Sequence, residues 1–590
     1  MIAAEPAGVG DGRGAGSSGP SGRIVRVNGP LVEVEGLDAV AAHEVLELGP
    51  RGLPAEVAAI RSGVVTAQAY EYTGGLRVGD PAVGLGIPLS ARLGPGLLGG
   101  IFDGMVRRLD ADHVWVGQGT APGPDAPRRW PYRRRVEAGA SVDAGDCLGV
   151  VATSGGFEYR VLVPAGVQGT VEWVAGSGDV GEDDPVAVVA GRTVAVTETW
   201  PIRAPRPVRA RLDLSAPLHT GQRVVDLLFP VTKGGTAAVP GGFGTGKTVL
   251  LQQIVRWCEA DVIVFVGCGE RGNELADALH DLEELEDPRS GRGLVERTVV
   301  IANTSNMPVM AREASIYAGM TVAELFRDMG YDVVLLADST SRWAEALREF
   351  SSRSGELPAE EGYPAGLASA LAAFYERAGR ATTLSGAEGS ITAIGAVSPP
   401  GGDMTEPVTA HTERFVRCLW SLDRDLAYAR HYPAVTWRRS FSRDVDVVAD
   451  WYARAGEARW GADRARAVAL LAESDRLASV VELVGIAALP PRERMVLLAG
   501  RLLREAVLAQ SALSDNDAAC GPAKQAALLD MVLAVYDKCV ALVDAGLAPG
   551  SLEDLDLSAL TRARDDFGPD DDEGVTARRD EVLAVLGALA

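Results

Sequence analysis

Residues 236–258 read TAAVPGGFGTGKTVLLQQIVRWC, and the segment from Gly241 to Thr248 satisfies every specified position of the phosphate-loop pattern G-x-x-x-x-G-K-[ST]. A short β-rich run, TAAV, precedes the glycines and an apolar-periodic helix follows them, so the loop stands where a strand hands over to a helix N-terminus. In such a loop the glycines let successive backbone N–H groups turn towards one anion. Gly241, Gly242, Phe243, Gly244, Thr245, Gly246, Lys247, Thr248 and Val249 are the expected nucleotide contacts. Lys247 would reach the β- and γ-phosphates, and the Thr248 hydroxyl would ligate Mg²⁺.

Beyond the loop, the apolar runs VIVFVGCG, RTVVIANTS, YDVVLLADSTS and SITAIGAVS alternate with long amphipathic segments. That alternation predicts a parallel sheet covered by helices on both faces, spanning residues 200–445. Asp338 closes the run Val333–Ala337 and should sit at the C-terminal end of a buried strand, where open α/β sheets bind ligands. It is the candidate second Mg²⁺ acid, with capping of the next helix as the alternative. Glu270 and Arg271 emerge between Gly269 and Gly272 after VIVFVG. A carboxylate at a strand tip can aim a lytic water at the γ-phosphate, and the arginine can fix that carboxylate or the phosphate oxygens. Surface Glu-Arg pairs are common, so this reading draws its force from position.

Upstream, residues 1–22 are rich in Gly, Ser and Pro and read as a disordered tail. Short alternating segments over 23–92 predict a small antiparallel barrel. Residues 93–199 hold a glycine-rich linker or packing segment over 93–109, then an inserted β-rich block. Arg128, Arg129, Arg133, Arg134 and Arg135 in that block read as a solvated or subunit-facing patch. Downstream, 446–590 carry helical patterns broken by Pro490-Pro491 and Gly521-Pro522, which predict a helical domain. The acidic stretch near 566–574 reads as a solvated loop before a last helix.

Among the 590 residues the net charge is −23, which argues against a broad nucleic-acid face. Six cysteines lack C-x-x-C spacing, so neither a zinc site nor a disulfide framework is expected. No apolar run reaches the length of a membrane span, and no secretory leader pattern opens the chain. Any membrane role must come through partners.

Taken together, PGGFGTGKT, VGCGERGNE, LEDPRSGR, ERTVVIANTSNMPVMAREASIYAGMT, LLADSTSRWAEALREFSSRSGELPAEEGYPA, FYERAGR and AVSPPGGDMTEPVT resemble the catalytic A subunit of V-type and archaeal-type rotary ATPases. The resemblance implies an α/β multidomain chain with an N-terminal β-barrel, an inserted β-rich domain, a RecA-like parallel-sheet P-loop domain and a C-terminal helical domain. It implies ATP or ADP with Mg²⁺ at the site, and Lys247, Glu270, Arg271 and Asp338 as catalytic residues, with Thr248 and Asp338 on the metal. It also implies an alternating hexamer of three A and three B subunits in which each B chain lends an arginine finger, together with central and peripheral stalks and a membrane sector moving H⁺ or Na⁺. The chain would then lie on the cytoplasmic face of the cell membrane. Two other readings are another hexameric motor, such as a secretion ATPase, and a non-catalytic nucleotide-binding subunit.

Three departures from the family pattern stand out. Gly242 replaces the loop proline, which should loosen the loop and supply a further permissive φ. Thr245 stands where eukaryotic relatives carry a redox-sensitive cysteine. Met404, Leu513 and Ala519 stand where the family places aromatic side chains near the adenine.

Overall fold

The computed structural model describes residues 19–109, 128–153, 156–272, 276, 277, 280, 282, 284–355 and 357–589. The expected N-terminal tail therefore lies outside the described residues as far as 18, and the first strand begins at Ser21. The strands Ser21–Asn28, Leu31–Glu35, Glu44–Leu48, Leu53–Arg61, Val64–Ala69 and Pro81–Pro88 close into a barrel. Period-two alternation sets its register, since Val32 and Val34 fill the barrel core while Glu33 and Glu35 point away.

The inserted block forms two four-stranded sheets that share one apolar core, with Tyr132, Val151 and Val161 from one and Val171, Val186 and Val194 from the other. Its basic run is exposed, but the arginines do not stand alone. Arg129 pairs with Asp184, Arg133 and Arg135 with Glu158, and Arg134 with Glu137. Such exposed pairs contribute little stability and neutralise the patch locally.

The four apolar runs become Val262–Cys268, Thr298–Asn303, Asp332–Asp338 and Glu388–Val397, and with Thr236–Pro240 they form a parallel core. The order across it is Thr236–Pro240, Glu388–Val397, Asp332–Asp338, Val262–Cys268, Thr298–Asn303. Alternate residues feed two separate cores. Val262, Val264 and Val266 pack with Met310, Ala314 and Ala318 of the helix Val309–Asp328 on one face. Ile263 and Phe265 pack with Leu250, Leu251 and Ile254 of the helix Lys247–Trp257 on the other. Both faces are buried, which explains why these strands read as unbroken apolar runs. The segment 93–109 does more than link, because Ile101–Phe102 adds a parallel edge strand beside Thr298–Asn303.

The C-terminal region is helical, and its main helices are Trp460–Val484, Pro491–Leu502, Pro522–Asp544, Ser558–Asp566 and Asp572–Gly587. Pro491 and Pro522 stand at the first positions of their helices, where the missing N–H costs nothing. The acidic run caps the last helix, with the Asp571 side chain accepting from the Gly574 N–H.

An ionic chain, exposed at His43 and buried at Glu56 and Glu313, ties the barrel to the parallel core. The His43 ring meets Glu56 at 2.6 Å, the Tyr70 hydroxyl donates to Glu56, and Arg203 reaches Glu56 at 3.4 Å and Glu313 at 2.6 Å. Burial alone would raise the Glu56 carboxyl, but the hydrogen bond from His43, the Arg203 charge and the Tyr70 hydroxyl hold it below its ordinary range. His43 is raised, chiefly by its hydrogen bond with Glu56. A raised histidine contributes stability that is complete below its unfolded pKa of about 6.5 and fades as pH climbs through the folded value. A lowered glutamate contributes above its unfolded pKa of about 4.3 and fades as pH falls through the folded value. Hydrogen-exchange protection of the strand Leu53–Arg61 is therefore expected to peak in the weakly acidic range between these limits. His43→Gln should remove the alkaline decline and, because His43 also helps to hold Glu56 low, weaken the acid one; an unchanged profile would disprove the assignment.

Candidate active site at the phosphate loop

The strand Thr236–Pro240 runs into the loop and the helix Lys247–Trp257 runs out of it. Gly244 and Gly246 adopt φ of +76° and +88°, the left-handed region that a β-carbon disfavours. Gly246 is also the N-cap, so the unpaired N–H groups of the first helical turn, with their positive partial charge, open onto the loop. Gly242 does not take a positive φ, contrary to expectation. It contributes room instead, because a β-carbon there would meet only Arg424 Nη2, at 3.5 Å. Thr245 Oγ1 donates to the Gly242 carbonyl at 2.8 Å, and Lys247 Nζ donates to the Gly241 carbonyl at 2.5 Å. Thr245 is thus an internal brace of the loop.

Asp338 ends its strand next to Val262–Cys268, whose tip continues into Gly269 and Glu270. Thr248 Oγ1 and Asp338 Oδ2 face each other across 3.5 Å. Burial draws the Lys247 ammonium below its ordinary value, the Asp338 and Glu270 carboxylates oppose that, and the Arg342 charge adds to it. Asp338, Glu270 and Arg342 therefore all act on Lys247 within one site.

The Glu270 turn is pinned from beneath, since the Gly269 N–H donates to the Asn303 carbonyl at 2.6 Å and the Ser305 N–H to the Glu270 carbonyl at 2.9 Å. Gly269 has φ +75°, and a β-carbon there would lie 2.6 Å from Arg342 Cβ. Only glycine fits, and its absence of a side chain is what lets Arg342 pack against the turn that carries Glu270. Glu270 is half-buried and Arg271 exposed at this tip.

Two residues of the site escaped the sequence reading. Arg342 stands four residues after Asp338, in the first turn of the helix Thr340–Ser354, with its backbone N–H capped by Ser339. An arginine one turn beyond a strand-tip acid was the available signal. Tyr432 lies far along the chain, yet a β-carbon at Gly246 would be 3.6 Å from its Cε1, and the ring is 44% exposed. The clue was an aromatic residue before proline in the polar stretch ARHYPAV. Of the three positions assigned to the base, Leu513 is 98% exposed, Ala519 is buried near Gly221, and Met404 is half-buried.

Among the described residues no three His, Cys, Asp or Glu side chains gather as a metal cluster. A hydroxyl and a carboxylate on opposite elements suit Mg²⁺, which keeps waters and takes phosphate oxygens rather than filling a protein cage. All six cysteines are free, and no described helix is long and apolar enough to cross a membrane.

Comparison with known proteins decides the family. Residues 221–442 match the nucleotide-binding domain of the ATP synthase alpha/beta family, and 24–86 its beta-barrel domain. Residues 121–203 match the barrel-sandwich domain of the ATP synthase alpha/beta chains, and 449–548 match the C-terminal domain of V and A type ATP synthase. The V-type ATP synthase alpha chain of Anaeromyxobacter sp. (strain K) is 50% identical over 91% of this chain and 94% of its own length. The one from Nitrosococcus oceani is 48% identical over 92% and 93%, and the A subunit of the A-type ATP synthase of Thermococcus onnurineus is 47% identical over 89% and 92%. The chain belongs to the V/A-type ATP synthase catalytic-subunit family.

It is accordingly a nucleotide-binding subunit of an ATP synthase/ATPase enzyme and part of a multisubunit complex. The parallel-sheet core, the barrel and the inserted β block expected from the sequence are all present. A solved structure of the assembled ATPase EscN from the enteropathogenic E. coli type III secretion system shares the fold, with a TM-score of 0.63 over 87% of this chain and all of that one. At 22% identity that likeness concerns the fold alone.

Proposed function

We propose that Gly241–Thr248 binds the phosphates of ATP or ADP with Mg²⁺, and that this site hydrolyses or makes ATP coupled to ion movement by partner chains. The observation that carries the reading is the facing pair Thr248 Oγ1 and Asp338 Oδ2, 3.5 Å apart beside Lys247 and within reach of Glu270. Thr248, and Asp338 directly or through water, would hold Mg²⁺, which would neutralise charge on the phosphate oxygens. Lys247 leaves its loop carbonyls for the β- and γ-phosphates. Glu270 accepts a hydrogen bond from the attacking water and holds its lone pair in line with the γ-phosphorus. Arg271 fixes that carboxylate or a phosphate oxygen, and Arg342, across Gly269, adds a second cation towards the same oxygens. Catalysis of this kind is positioning and electrostatics, with no covalent intermediate on the protein.

Tyr432 forms the base end of the site. Its half-exposed ring beside Gly246 supplies the stacking surface that Met404, Leu513 and Ala519 lack. The chain alternates with B subunits in a hexamer, three of each, and the B chains bring the arginine finger; a central rotor and a peripheral stalk complete the assembly. It sits at the cytoplasmic face of the membrane and moves H⁺ or Na⁺ through other chains.

Chelation of Mg²⁺ should abolish turnover in the purified complex. Tyr432→Ala should raise the KM for ATP about tenfold, within the ~1–3 kcal/mol of one base–aromatic stack, while Tyr432→Phe stays close to wild type. Inhibition by inorganic tripolyphosphate, which has no base, should be equal in all three forms. An unchanged KM in Tyr432→Ala would remove Tyr432 from the base site.

A further inference from the structure

Lys524 is fully buried in the helix Pro522–Asp544, and its ammonium donates to three backbone carbonyls, Asn516 at 2.9 Å and Arg564 and Phe567 at 2.8 Å each. A lysine ammonium has three donors, so these carbonyls saturate it. Two of them belong to the helix Ser558–Asp566 and the residue after it, C-terminal to the residues that match the family's C-terminal domain. The third belongs to the connecting segment 509–521.

That segment is held to the same helix twice more. Asn516 Nδ2 donates to the Asp565 carbonyl at 2.8 Å, and Arg564 Nη1 donates to the Ala509 carbonyl at 2.7 Å. At its other end the segment touches the base site, since the Gln510 N–H donates to the Tyr432 carbonyl at 2.8 Å. The Arg564 charge is also felt at His431, the residue before Tyr432. There burial, with Arg504 and Arg564, brings the imidazole down to about 4. A continuous set of hydrogen bonds thus runs from the helix Ser558–Asp566 through 509–521 to the backbone that carries the Tyr432 ring.

We infer that Lys524 and Arg564 are positioning residues for the base end of the nucleotide site, fixing segment 509–521 and through it the Tyr432 ring. This rests on the proposed role of Tyr432. The segment 509–521 has little regular structure of its own, so its shape is set by these bonds together with those that tie Ala509, Gln510 and Asp517 to Arg223. Removing the ammonium leaves three half-buried carbonyls to find other partners, and the segment must move to provide them. Tyr432 follows because its carbonyl is tied to Gln510. The phosphate end does not follow, because Lys247, Thr248 and Asp338 stand on the parallel core.

The test compares Lys524→Met, Arg564→Met and Tyr432→Ala in the purified complex, reading ATP kinetics and inhibition by inorganic tripolyphosphate. Lys524→Met and Arg564→Met should each raise the KM for ATP by about tenfold, the scale of a disturbed stack, with kcat and tripolyphosphate inhibition near wild type. Arg564→Met keeps Lys524 and its carbonyls in place, so it decides the matter if Lys524→Met does not assemble. If Tyr432→Ala raises KM and Arg564→Met does not, the inference falls while the base-site reading stands. Equal loss of affinity for ATP and tripolyphosphate in Arg564→Met would overturn the inference by showing a general structural role. If Tyr432→Ala itself has no effect, the base-site reading falls and takes this inference with it.

Discussion

Glu270→Gln in the complete complex is expected to lower ATP turnover by about 10²- to 10⁴-fold, which is ~3 to 5 kcal/mol of lost barrier reduction. The size of the residue is kept, and so are the backbone bonds from Gly269 to Asn303 and from Ser305 to Glu270 that hold the turn. What is lost is the charge. A glutamine amide can still touch a water but cannot draw its proton or orient it as strongly. Lys247 also loses one of the two carboxylates that favour its charged form, leaving burial and Arg342 less opposed. Nucleotide should remain bound, because Thr248, Asp338 and the loop N–H groups are untouched. The measurement is steady-state phosphate release beside equilibrium nucleotide binding. Turnover within a few-fold of wild type would remove Glu270 from the catalytic role.

The second large effect is structural. Arg223 is completely buried where the parallel core meets the C-terminal helices, and it pairs with the equally buried Asp517 at 2.6 Å. Its Nε and Nη2 donate to the Val507 and Ala509 carbonyls at 2.6 Å each, and its own N–H donates to Gln510 Oε1 at 2.9 Å. Arg223→Met removes the nearer cation and leaves the buried carboxylate with Arg564 at 3.8 Å, a change of the kind that typically costs ~3–5 kcal/mol. The loss should appear as faster hydrogen exchange over 503–520 and a lower thermal transition. Pairing it with Asp517→Leu should recover a good part, since an apolar pair carries no desolvation cost. No change in exchange for the single variant would contradict the account.

The phosphate-loop strand, the other parallel strands and the acid at the tip of Asp332–Asp338 were legible because each leaves a local mark. Buried parallel strands are continuous apolar runs, and a loop gripping phosphate needs glycine at fixed offsets. Glu270 was legible only through its place between those marks. Arg342 and Tyr432 were not, for different reasons. Arg342 looks like any helical arginine until Gly269 is seen to make room for it. Tyr432 meets the loop across nearly two hundred intervening residues, a proximity that only the folded chain creates. The reading of Gly242 as a source of positive φ failed because glycine permits that conformation without requiring it. The two-residue strand Ile101–Phe102 was too short for any periodicity to register.

The central claim is that this site performs chemistry on ATP and does not merely hold a nucleotide. Exchange of oxygen between water and phosphate, followed in the complete complex with Mg²⁺ and ATP, tests it most directly because it reports cleavage and resynthesis at the site itself. Wild-type complex should release phosphate carrying water-derived oxygen, and Glu270→Gln should show almost none despite bound nucleotide. Firm nucleotide binding with no exchange in the wild type, or equal exchange in the two forms, would contradict the account.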